Sequence, residues 1–273
     1  MATGKDLNTL FGTGKKTAFM PYVCCGDPDA AFTISLAMEL EKAGAGAIEL
    51  GIPFSDPIAD GKTIQAASTR ALGNGMTPIR ALETLARIRA KGVKVPIFLM
   101  TYYNVIYSQG TEPFAKMAKA AGANGLIVPD APAGETPELT KACERAGLGI
   151  VRFINPNSTD AEIRKAGKSA QGGFLYAVAV FGTTGAKASV DRRALNLLSR
   201  AKKLTGAPIA AGFGIASQAN AREFAACGAN GVIIGSAIVD IYSKSVMKGK
   251  AGRSAALAKT GAFAKSIVGA CQA

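Results

Sequence analysis

Apolar and polar positions along this chain fall into alternating blocks. Short apolar runs are separated by longer stretches in which apolar side chains return every three or four residues. The runs are Ala18 to Cys25, Ala47 to Ile52, Pro96 to Tyr102, Gly125 to Val128, Gly149 to Ile154, Gly173 to Ala179, Pro208 to Ala211 and Gly231 to Ile234. Their length and unbroken apolar character predict eight strands covered on both faces. Helical periodicity predicts helices over Ala30 to Ala43, Pro78 to Lys91, Glu112 to Ala121, Thr136 to Ala146, Asp160 to Ala166, Arg192 to Leu204 and Ser217 to Cys227.

Glycine punctuates this alternation. Gly44, Gly92, Gly122, Gly147, Gly167, Gly206 and Gly228 each stand where a left-handed cap would end a helix before the next apolar run. Three joints are near copies: Ala43-Gly44-Ala45-Gly46-Ala47, Ala121-Gly122-Ala123-Asn124-Gly125 and Cys227-Gly228-Ala229-Asn230-Gly231. The chain therefore repeats a helix-stop-strand unit, and eight parallel units close into an α/β fold of the (β/α)8 TIM-barrel type. An open doubly wound sheet fits less well, because the turn after the first strand reads Cys25-Gly26-Asp27-Pro28 and lacks a glycine-rich fingerprint. Lys5 to Phe11 is expected to form an extra N-terminal helix that plugs the barrel floor, and Ala255 to Cys271 the last helix. No linker or low-complexity stretch divides the sequence, so residues 1–273 are expected to form a single domain.

Composition narrows the chemistry. Histidine is absent, which excludes a Ser-His-Asp triad, a Cys-His pair and imidazole-ligated zinc. Proton transfer must fall to Asp, Glu, Tyr, Lys or Cys. The five cysteines form no C-x-x-C and read as reduced core thiols; no metal site is expected. No apolar run approaches the roughly 20 residues that cross a bilayer. Met1 to Asn8 lacks the layout of a signal peptide, so a cytoplasmic location is expected. The net charge of +13 is scattered over predicted helices such as Arg80, Arg87, Arg89 and Lys91. Such scatter fits a solvated helix surface, with no nucleic acid or membrane as partner, and is compatible with an anionic small substrate.

Barrel active sites lie at the carboxyl ends of the strands. Glu49 ends the second apolar run with apolar walls available from Ala47-Ile48, and Asp60 stands on the loop that follows. Burial would bring such a carboxyl group into the range where it works as a general acid or base near neutral pH. Tyr102 and Asn104 close the third run; Asp130, after the fourth, reads first as a cap or loop-ordering carboxylate. Three glycine-rich turns follow the last three runs: Gly182-Thr183-Thr184-Gly185, Gly212-Phe213-Gly214 and Gly235-Ser236. Together with a short helix starting Ser236-Ala237-Ile238 they resemble a phosphate cradle, since glycine lets backbone N–H groups approach an anion. The loop from Phe181 to Asp191 reads either as a lid or as an ordinary surface loop.

Seven ordered motifs now carry a resemblance. They are Gly26 to Asp29 (GDPD), Glu49 to Gly61 (ELGIPFSDPIADG) with Thr63 to Gln65, Met100 to Asn104 (MTYYN), Val128 to Asp130, Thr183 to Gly185, Gly212 to Ile215 and Gly235 to Val239. Over nearly its whole length the chain resembles the tryptophan synthase α subunit family. The resemblance implies retro-aldol cleavage of indole-3-glycerol phosphate to indole and glyceraldehyde 3-phosphate. It also implies passage of indole to a β subunit in an αββα complex. No cofactor is implied on this chain, the pyridoxal phosphate (PLP) being expected on the β subunit.

By the same matching, Glu49 is the acid–base and Asp60 its partner at the indole N–H. Gly185, Gly214, Gly235 and Ser236 would hold the phosphate. Tyr22, Ile64, Met100, Ile127, Tyr176, Phe213 and Ile233 would wall the indole pocket, although each is equally compatible with plain barrel core. Thr184 matches a lid residue that meets Asp60, and Pro53, Asp56 and Pro57 match the loop facing the β subunit. Lys62 stands where the family usually has proline, Val105 replaces another frequent proline, and Asn155-Pro156-Asn157 differs from the commoner turn. Ala179-Val180 replaces a common Ser-Arg pair, which removes a positive charge near the expected phosphate, with Lys187 a candidate substitute. Two alternatives remain open: a lyase that works without a β partner, and a weakly active subunit that mainly activates β.

Overall fold

The computed structural model describes residues 10–11, 16–178, 191–212 and 214–273. Eight parallel strands pair in sequence order and close into a barrel. They are β1 (Ala18–Cys24), β2 (Ile48–Gly51), β3 (Ile97–Met100), β4 (Gly125–Ile127), β5 (Gly149–Ile154), β6 (Leu175–Val178), β7 (Ile209–Gly212) and β8 (Gly231–Ile234). Closure runs through β1 and β8, from Ala18 opposite Gly231 to Pro21 opposite Ile234. Almost every strand residue is buried, as strands covered on both faces require.

Eleven helices surround the barrel among the described residues. They are α1 (Ala30–Lys42), α2 (Lys62–Gly73), α3 (Pro78–Ala90), α4 (Tyr103–Gln109), α5 (Thr111–Ala121), α6 (Pro137–Ala146), α7 (Asp160–Ser169), α8 (Arg192–Leu204), α9 (Gln218–Ala226), α10 (Ser236–Val246) and α11 (Gly249–Gln272). Helix α3 shows how local sequence sets such an element. The Thr77 side chain accepts the Arg80 N–H, Pro78 occupies the first turn, and Ala81, Leu82, Leu85 and Ile88 form the buried stripe. Gly92, at φ 91°, then turns the chain toward the next strand.

Two expected glycine stops are corrected. Gly167 lies inside α7, which continues to Ser169. Gly206 follows an extended Thr205 that already ends α8, so no left-handed residue is needed there. Helices α2 and α4 follow β2 and β3 within motifs first noted for their chemistry, and α10 has three turns rather than being short. On the floor, Leu10 and Phe11 are helical, and Phe11 meets Phe174 edge-on at 5.7 Å between centroids, while Phe174 meets Phe98 at 5.1 Å. The rest of the expected Lys5 to Phe11 plug lies outside the described residues.

Candidate active site

Glu49 sits within β2, two residues before its end, rather than at the terminus of the run. In register with Tyr22 of β1 and Phe98 of β3, it shares their face of the sheet. It is 2 % exposed, and its Oε2 has no hydrogen-bond partner among the described residues. Burial first, and the nearby Asp60 second, push its carboxyl group up from an ordinary 4.5 to about 8.

Asp60 stands on the loop before α2. Burial raises its carboxyl group to about 6, against the lowering effect of a hydrogen bond with the Tyr102 hydroxyl. That hydroxyl also accepts the Ala59 N–H at 3.1 Å, and the Tyr102 ring packs on Phe54 at 5.3 Å. The Gln65 amide donates to the Asp60 carbonyl at 2.8 Å. Tyr102, at the start of α4, therefore fastens the loop after β2 at three points. Around pH 7 the two acids differ in state: Glu49 is mainly protonated and Asp60 mainly ionised, an arrangement suited to one proton donor beside one fixed negative charge.

A cavity of about 490 Å³ opens over both acids. Tyr22, Ile64, Met100, Tyr176 and Ile233 line it, and so do Gly214, Gly235 and Ser236. Gly235 precedes the first turn of α10, whose unpaired N–H groups and positive end suit an anion. Gly214 has φ 77°, a conformation that favours glycine. Two tyrosines lean across neighbouring strands: a methyl group at Gly51 would collide with the ring and hydroxyl of Tyr22, and one at Gly212 with those of Tyr176. Their width of cavity depends on those two bare positions.

Not every expected residue reaches this cavity. Ile127, in register with Met100, is fully buried in the barrel and is not among the lining residues. Gly185, Thr184, Phe213, Lys187 and the Ala179-Val180 pair lie outside the described residues. Pro53 is buried, whereas Asp56 is exposed and Pro57 half-buried. Ile58 is 83 % exposed and Tyr107 on α4 is 69 % exposed; neither stood out in the sequence. Asp130 is a loop-ordering group, its carboxylate accepting the Tyr103 N–H at 2.9 Å and so capping α4. Sequence reasoning also passed over Asp240 and Lys244, which line the cavity, and gave Thr63, which lines it too, no role beyond its motif. The spacing Ser236, Asp240, Lys244 was the available signal, since residues four apart share a helix face.

Among the described residues no cluster of acidic, cysteine or histidine side chains could hold a metal ion. No described helix is long and apolar enough to cross a membrane.

Comparison with known proteins agrees with this geometry. A family model described as tryptophan synthase alpha chain matches residues 11–268. The tryptophan synthase alpha chain of Methanosarcina acetivorans is 44% identical over 230 residues, covering 84% of this chain and 82% of the relative. That of Gloeobacter violaceus is 38% identical over 239 residues, covering 88% and 86%. A chain from the Pyrococcus furiosus tryptophan synthase a2b2 complex superposes with a TM-score of 0.85 at 38% identity, covering 93% of this chain and 99% of that one. With near-complete coverage in sequence and fold, this chain belongs to the tryptophan synthase α chain family.

Proposed function

We propose that this chain cleaves indole-3-glycerol phosphate to indole and glyceraldehyde 3-phosphate, as the α subunit of a tryptophan synthase. One observation carries the reading: Glu49 and Asp60 line the same cavity as Gly214, Gly235 and Ser236. Phosphate rests against the N-terminal turn of α10. Ile64, Met100, Tyr176 and Ile233 enclose the indole.

Protonated Glu49 gives its proton to the ring carbon that bears the side chain, so the ring becomes an electron sink with positive character on nitrogen. The Asp60 carboxylate stabilises that charge. Glu49, now a carboxylate, takes the proton of the neighbouring hydroxyl; the carbon–carbon bond breaks, the aldehyde forms, and its electron pair returns to the ring. The cycle ends with Glu49 protonated again, so one buried carboxyl group serves both steps. Its unpartnered Oε2 is the acceptor a substrate hydroxyl would meet.

The β subunit docks on the rim formed by the loop after β2 and by α4, where Asp56, Ile58 and Tyr107 are exposed. Indole passes to it, and the pyridoxal phosphate belongs to that subunit. The pair works in the cytoplasm.

The test is a lysis assay of the purified chain with and without a β subunit across pH. Lysis stimulated by β is expected, with kcat/KM bell-shaped between limbs near about 6 and about 8. Strong lysis with no response to β supports a self-sufficient lyase, and stimulation of β with no lysis in either mixture refutes the lyase reading.

A further inference from the structure

The GDPD segment takes no part in the chemistry above, yet its Asp27 is 0 % exposed. Its carboxylate is held from two directions. Arg70 of α2 donates through Nε to Oδ1 and through Nη2 to Oδ2, each at 2.8 Å, a two-pronged pair that fixes orientation as well as distance. Tyr242 of α10 donates its O–H to Oδ2 at 2.8 Å. Helix α2 starts directly after Asp60 and Gly61, and α10 starts at Ser236. The same two helices also meet near their beginnings, where the Thr63 hydroxyl donates to Asp240 Oδ1 at 3.2 Å. One buried carboxylate thus ties the helix that carries the acid loop to the helix that carries the anion cradle.

A substrate anchored by phosphate at one end and protonated at the other tolerates little error in that separation, because small misplacements of reacting groups cost large factors in rate. We propose that Asp27 is a positioning residue that sets the distance between the acid pair and the anion cradle. It acts on Asp60 through Arg70 and α2, and on Ser236 through Tyr242 and α10. This role rests on the lyase reading.

The experiment uses the full chain with its β subunit and three variants: Tyr242→Phe, Arg70→Lys and, as a control inside α11, Thr260→Ala. Thr260 is buried, and among the described residues its hydroxyl bonds only its own helix, at Ala256 O. Tyr242→Phe, which leaves the ion pair intact, is expected to raise KM about tenfold and weaken inorganic phosphate binding equally, with kcat within about twofold. Arg70→Lys keeps the charge but loses the fork; kcat is expected to fall about tenfold with phosphate binding unchanged. Thr260→Ala is expected to lower Tm and change neither constant. The proposal is overturned if the clamp variants lose Tm as the control does while kcat, KM and phosphate affinity stay within about twofold of wild type. Should Arg70→Lys not fold, Tyr242→Phe decides alone. A wild-type chain with no lysis defeats the lyase reading instead, and the phosphate titrations still test the clamp.

Discussion

The two halves of the proposed site are built from different material. At the acid end the proposed chemistry belongs to side chains, Glu49 inside a strand and Asp60 on a loop fastened by Tyr102. At the anion end it belongs to the main chain, through Gly214, Gly235 and the first turn of α10. Side-chain acids take their working state from their surroundings, and burial sets both carboxyl groups higher than they would stand in water. Backbone donors have no such dependence, since their placement follows only from the path of the chain. The acid end should therefore respond to pH and to conservative substitutions, and the anion end to charge and shape.

The largest expected effect is at Glu49. Glu49→Gln should lower kcat by about 10³ with KM little changed, because it removes the group that gives and takes the proton; near-normal turnover would take Glu49 out of the mechanism. The same variant tests its burial. Folded Glu49 keeps its proton up to about 8, against an ordinary 4.5, so the native chain binds more protons than the unfolded one between those values. That contribution to stability is fully present below about 4.5 and lost as pH rises through about 8. Denaturant melts at pH 5 and pH 9 should show Glu49→Gln gaining on wild type with rising pH, on the order of 4 kcal/mol. A constant difference would show that Glu49 does not titrate as a buried group.

Ser236→Asp probes the other end. A carboxylate in the first turn of α10 favours the helix by about 0.3–1 kcal/mol, so Tm should hold or rise. It also repels phosphate, and KM should climb about 10²-fold with kcat largely retained. An unchanged KM would move the anion away from α10.

Tyr102→Phe is the smallest of the three. It removes the bond that lowers the Asp60 carboxyl group, so the acid limb of the pH–rate profile should move above about 6, with stability down about 1 kcal/mol. A fixed limb would mean that the Tyr102 hydroxyl does not act on Asp60.

The same contrast explains what could be read from the sequence. The eight strands were legible because burial on both faces leaves unbroken apolar runs, as at Ile97–Met100 and Gly231–Ile234. Glu49 and Asp60 were legible as cavity-lining acids because a carboxylate in or just after an apolar strand demands an explanation. Glycine was more ambiguous, since it marks both stops and close approaches. Gly44 and Gly228 do turn left-handed, whereas Gly167 is helical and is glycine because a side chain there would strike Thr205 of the neighbouring connection. Exposure on the loops was not legible: nothing in the sequence marked Ile58 as 83 % open to solvent, whereas Ile127 lay in a run already read as covered on both faces.

Gly51 and Gly212 act as parking bays for the two phenols that line the cavity. A side chain at either glycine would strike its phenol and force that ring to another position, without touching Glu49 or Asp60. The width of the cavity thus depends on two residues that have no side chain, and reshaping it begins with their aromatic tenants.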